Sequence, residues 1–123
     1  MKRLIFSLLL LATGALLFTS CAKDETKSYE ASQMVGKWQK SGSNEYWRYE
    51  SDGTGNFWDE DEDVHEGEGT HFRWSLNEDE LHLTFVGTMG QEVPRDYNIL
   101  ELTSSVMRLE DSYYGSETTY YKQ

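Results

Sequence analysis

Three aspartates at alternate positions, Asp59, Asp61 and Asp63, stand in an acidic run that continues to Glu68. Their spacing is that of the first three oxygen ligands of a calcium-binding EF-hand loop. The rest of such a loop is missing, because Val64 takes the place of the glycine and Thr70 that of the bidentate glutamate. Repulsion among the carboxylates is expected to keep the run extended and solvated, a soluble hairpin tip with Asp59, Asp61 and Asp63 as weak cation candidates. The three imidazoles, His65, His71 and His82, match no compact zinc spacing. A cross-strand pair of His71 with His82 is one arrangement open to them, and outward surface histidines are the other. For catalysis the chain has no Gly-x-Ser-x-Gly elbow, no glycine-rich phosphate loop and one cysteine. Carboxylate pairs are expected by chance in so acidic a chain, and nothing in their surroundings predicts a raised pKa. The residues therefore predict a protein that is not an enzyme and carries no cofactor.

That one cysteine, Cys21, follows a basic start (Lys2, Arg3), a 15-residue apolar run from Leu4 to Phe18, and the small residues Thr19 and Ser20. These are the three regions of a secretory signal peptide. The run is shorter than the roughly 20 apolar residues that a spanning helix needs. An intramolecular disulfide is impossible without a second cysteine. Phe18-Thr19-Ser20-Cys21 resembles a bacterial lipobox, although Phe18 departs from the usual aliphatic residue. The resemblance implies cleavage before Cys21 and fatty acyl chains, such as palmitate, on that residue. Each buried methylene contributes about 0.8 kcal/mol, so several chains hold a protein firmly on a bilayer. Ala22-Lys23-Asp24-Glu25 looks like the export signal of Bacteroidota lipoproteins, which implies an outer-membrane, cell-surface location. A generic polar tether is the other reading of these four residues.

Without residues 1–20 the chain keeps 9 of its 11 Lys and Arg and all 22 Asp and Glu, a formal charge of −13. Such a surface repels a phosphate backbone, which excludes nucleic acid. It favours solubility, cations or basic proteins. The expected organisation is a signal peptide over 1–20, a lipidated cysteine and flexible tether over 21–33, and one domain over 34–123. A domain of that size is near the small end for an independent core. Aromatic side chains, which bury large areas each, are its evident packing material.

From Gly36 onward short alternating runs are separated by turn residues at intervals of roughly 8–12 residues, the pattern of an all-β sandwich or barrel. The predicted strands are Gly36–Lys40, Glu45–Glu50, Thr54–Trp58, Thr70–Leu76, Leu81–Phe85, Glu92–Leu102, Val106–Glu110 and Glu117–Lys122. Trp47 and Tyr49 share a face, as do Phe72, Trp74 and Leu76. Gly53 supplies the positive φ of a tight turn, Pro94 sits where a missing amide donor is tolerated, and a change of parity between Ile99 and Leu102 predicts a bulge. Eight sequential antiparallel strands close into a small up-and-down barrel, which removes exposed edges.

Val35-Gly36-Lys37-Trp38 resembles the Gly-x-Trp start of lipocalin-like barrels. In the same order follow Trp47-x-Tyr49, Asp52-Gly53-Thr54-Gly55, Phe72-x-Trp74-x-Leu76, Leu81-x-Leu83 and Tyr97-x-Ile99. Over residues 34–122 this series is similar to the lipocalin-like lipoproteins of Bacteroidota, calycin-type barrels. The resemblance implies that Trp38, Trp47, Phe72, Trp74, Phe85 and Tyr97 face inward and line a pocket for a small apolar or amphipathic ligand. Filling the barrel is their other role, since an eight-stranded interior is just wide enough for side chains or one small ligand. A rival expectation is an acidic barrel that captures a basic protein, as small lysozyme-inhibiting lipoproteins do. A plain structural surface domain is the third.

Overall fold

The computed structural model describes residues 27–123, so the signal peptide, Cys21 and the residues up to 26 lie outside it. A short helix α1 (Ala31–Met34) precedes eight strands: β1 (Gly36–Lys40), β2 (Glu45–Tyr49), β3 (Thr54–Asp59), β4 (Thr70–Asn77), β5 (Glu80–Val86), β6 (Glu92–Leu102), β7 (Val106–Asp111) and β8 (Glu117–Lys122). They form a closed antiparallel barrel in sequence order. Closure comes from β8, which pairs with β7 and returns to β1 through Trp38↔Lys122 and Lys40↔Tyr120. The expected bulge in β6 is present as a register shift between Ile99 and Glu101. It lets both Ile99 and Leu102 face the core.

The barrel has a sealed end and an open one. At the sealed end Met34 is wholly buried and its carbonyl accepts the indole N–H of Trp38 at 2.9 Å. The Lys122 ammonium lies 4.6 Å over the Trp38 ring and donates to the Val35 carbonyl at 2.7 Å. Burial lowers the pKa of that amine. Gly36 gives the Gly-x-Trp start its physical sense: its φ is +129°, and a Cβ there would meet Lys122 Cε at 2.6 Å. The stretch expected to be a flexible tether is in part docked. The Tyr29 N–H donates to the Glu78 carbonyl at 3.1 Å, Tyr29 packs against the core, and Gln33 caps the Glu30 N–H at 2.8 Å. Met34 draws this segment in, because it fills the barrel floor.

The β2–β3 turn belongs to the same end. Gly53 has a φ of +87°, and Asp52 accepts the N–H and hydroxyl of Thr54 at 3.0 and 2.6 Å. Those bonds hold the Asp52 carboxyl below its usual range. The Trp74 indole N–H reaches the carbonyls of Glu50 and Thr54 at 3.1 and 3.0 Å. The Asp-Gly-Thr-Gly and Phe-x-Trp motifs are thus two halves of one corner.

The acidic segment departs from expectation. Glu60–Glu62 form a 3-10 turn capped by Asp59, Asp63 adopts the left-handed conformation at φ 59°, and the chain then folds back over the outer face of β1–β3. Glu66 binds Arg48 at 2.5 Å and Lys37 at 3.7 Å, and the Gly67 N–H donates to Asn56 Oδ1 at 3.2 Å. Beneath lies Trp58, 1% exposed although it points away from the barrel interior, with Tyr46 stacked at 5.7 Å and the Lys37 ammonium 5.6 Å from its ring. Burial of a tryptophan and neutralisation of Glu66 by two cations outweigh the local repulsion that predicts an extended tip.

Candidate functional site

The open end collects the inward-facing side chains of eight strands below the loops 41–44, 60–69, 87–91 and 112–116. Period-two alternation places Trp47 and Glu45 on one face of β2, Phe57 on β3, Phe85 on β5, Tyr97 on β6 and Tyr120 on β8. Trp47 is the hub. Its ring stacks on Phe57 at 4.4 Å and meets Phe72, Phe85 and Tyr120 at 5.5, 6.0 and 6.0 Å. Phe57 and Phe85 touch edge to face at 5.5 Å. Such offset and tilted pairs are the favourable geometries for aromatic quadrupoles. They form an apolar floor whose upper members, Phe57, Phe85 and Tyr97, are only partly buried.

Polar groups converge above that floor. Glu45 accepts the Trp47 indole N–H at 2.7 Å, with the Lys40 ammonium 4.0 Å away. Burial pushes the phenols of Tyr120 and Tyr97 up, and the Glu45 carboxylate adds to the shift of both. Arg95, beside Tyr97, works in the opposite direction. Both phenols therefore stay protonated across the neutral range and are available as donors and acceptors.

The six aromatic candidates divide in two. Trp47, Phe85 and Tyr97 meet the mouth. Trp38 and Trp74 give their indole N–H groups to the sealed end, and Phe72 is 2% exposed in the middle layer against Tyr49 at 5.3 Å. Phe57, Tyr120 and Glu45 join the site, although no motif in the sequence marks them. Alternation within Thr54–Asp59 could have found Phe57, but the neighbouring Trp58 is the larger ring and competes for the inward assignment.

Asp59, Asp61 and Asp63 do not converge. Asp59 caps the Asp61 N–H at 2.9 Å, Asp61 accepts from Asn44 at 2.9 Å, and Asp63 lies 3.7 Å from His65. Among the described residues no group of three His, Cys, Asp or Glu could hold a metal ion. The histidine pair does not form either, because the register sets His82 opposite Ser75 and His71 opposite Asn56. His82 instead contacts Asp96 at 2.7 Å, and His71 contacts Asn56 at 3.3 Å.

Residues 19–109 match the sequence profile of a family described as a lipocalin-like domain. The match runs from before Cys21 into β7. No curated protein and no solved structure matches the chain.

Proposed function

Since the chain belongs to the lipocalin-like domain family, we propose that it binds a small apolar or amphipathic molecule in the mouth of its barrel. One observation carries this reading: the inner face is wholly buried at one end and partly exposed at the other. Met34, Trp38 and Leu81 are 0% exposed, whereas Val93, inward-facing on β6 opposite Phe85, is 45% exposed. An aromatic floor below a few convergent polar groups is the usual composition of a small-ligand site. The apolar part of the ligand rests on Trp47, Phe57 and Phe85, and its polar end meets Tyr97, Tyr120 and Glu45. Binding, not turnover, is the activity. Hydrolysis of a generic ester, glycoside or phosphate by the purified chain, abolished by one carboxylate substitution, would overturn that part.

Cys21 is the proposed site of acylation, holding the protein on the outer membrane at the cell surface. The signal-peptide pattern before it and Ala22-Lys23-Asp24-Glu25 after it support this placement.

The test is native mass spectrometry of the full chain taken gently from envelope extract, with titration by anilinonaphthalene sulfonate as the amphipathic probe. A co-purifying mass, or probe fluorescence lost in Phe85→Asp and Val93→Asp, supports the mouth. A bare chain that also leaves the probe dark overturns it. A second reading, capture of a basic protein, is favoured by the exposed Glu60–Glu62 turn and by Asp63, whose side chain is 98% exposed. Capture of hen lysozyme would then fall steeply as salt rises, while mouth binding would hardly respond.

A further inference from the structure

The most exposed aromatic rings lie outside the mouth's floor. Tyr113 and Tyr114, 85% and 76% exposed, sit at the tip of the β7–β8 hairpin with ring centroids 4.7 Å apart. The backbone beneath them is held firmly. Asp111 Oδ1 accepts the N–H groups of both at 2.8 and 2.9 Å, and the hairpin closes through Asp111 N–H to Ser116 and Gly115 N–H to Asp111, each 2.8 Å. Pairing of β6 with β7 begins only at Tyr97↔Asp111, so the first residues of β6 overhang. Between the overhang and the hairpin opens a notch of about 430 Å³, lined by Pro94, Arg95, Asp96, Asp111, Tyr113 and Tyr114. That volume falls at the low end of the roughly 300–1,000 Å³ typical of small-ligand sites.

The notch has donors and acceptors to spare. Arg48, Arg73 and Arg108 each pair with carboxylates, whereas among the described residues Arg95 has none within 4 Å. Asp96 and Asp111 use only Oδ1 in the bonds described above, which leaves an oxygen on each. A guanidinium fork beside two carboxylates matches neither a bare cation nor a bare anion, since each meets a like charge. An alkyl chain would strand all three ionic groups without water. A hydroxyl, by contrast, donates and accepts at once, and adjacent hydroxyls suit the planar two-pronged geometry of both guanidinium and carboxylate. Exposed tyrosine faces supply apolar area at low entropic cost, suited to the C–H face of a sugar ring. We propose that this notch binds neutral carbohydrate, at a site that borders the mouth at Arg95 and whose two tyrosines stand outside the mouth's aromatic floor.

Affinity electrophoresis of the full chain in mild detergent, through native gels containing dextran, galactomannan, arabinoxylan or levan, tests it. Retardation by at least one of the four is expected, with apparent affinity falling tenfold or more in Tyr113→Ala/Tyr114→Ala and in Arg95→Gln. Both tyrosines lie on an exposed hairpin, so an unchanged midpoint of thermal unfolding is the control for folding. No retardation by any of the four, or equal retardation of the double variant, overturns the proposal. So does equal or stronger retention by heparin, or retardation by the four glycans that rising salt abolishes, either of which would make charge the attraction. A dimer in sedimentation that the double variant abolishes also overturns it, by assigning the rings to self-association. Anilinonaphthalene sulfonate binding should persist in the double variant, so failure here and failure at the mouth are read separately.

Discussion

Gly55 and Phe72 face each other across β3 and β4, and the Phe72 ring occupies the space a side chain at 55 would need. A Cβ there would strike the ring and lie 2.7 Å from the Arg48 carbonyl. Gly55→Ala is expected to destabilise the barrel by about 1–3 kcal/mol, the usual cost of overpacking, measured by chemical denaturation. Three phenols mark another property at this scale. Burial raises the pKa of Tyr49, Tyr97 and Tyr120 in the folded chain. A group whose folded pKa exceeds its unfolded value stabilises fully below the unfolded value, about 10 for tyrosine, and loses that contribution as the pH climbs past it. Stability should therefore decline above about pH 10. Absorbance at 295 nm should show Tyr49 and Tyr120, the two most deeply buried, ionising only with unfolding.

Strands were far more legible than the segment that wraps them. Alternation and turn residues reproduce every strand of the barrel, because both signals are local and each faces one core. The β3–β4 connection is different. Its position depends on Asn56, Arg48 and Lys37, residues 11, 18 and 29 places away from their partners Gly67 and Glu66, and on an outward tryptophan that no inside-or-outside rule predicts. Local charge repulsion gives the opposite answer. The mouth was half legible for the same reason: the inward parity of Trp47, Phe85 and Tyr97 can be read from their strands, but height within the barrel depends on stagger between strands. For the segment itself, the ion pairs of Glu66 are partly exposed and contribute about 0–1 kcal/mol each. Trp58 and Asn56 should matter more. Trp58→Ala is expected to cost about 3–5 kcal/mol and Asn56→Ala about 1–3 kcal/mol. Limited proteolysis should then cut within 60–69, while Glu66→Gln should leave the segment protected.

At the scale of the whole molecule, β8 is the clasp. It pairs on both sides, and it carries Tyr120 into the mouth and Lys122 to the sealed end. Ending the chain at Ser116 would expose the edges of β1 and β7 together, a state prone to pairing with other chains. The expected result is loss of dispersed amide proton resonances, or aggregation, without a stable seven-stranded barrel. Shortening at the other terminus tests the floor: Met34→Ala should cost about 2–5 kcal/mol, seen in thermal unfolding.

The helix that plugs the floor also sets a direction. The chain enters the barrel beside Met34, and its last residue returns to the same pole, where the Gln123 N–H meets the Lys37 carbonyl at 2.9 Å. Both ends of the described segment thus lie in the hemisphere opposite the mouth and the tyrosine notch. A label or surface linkage added after Gln123 would therefore stand at the pole opposite both proposed binding sites and leave them unobstructed.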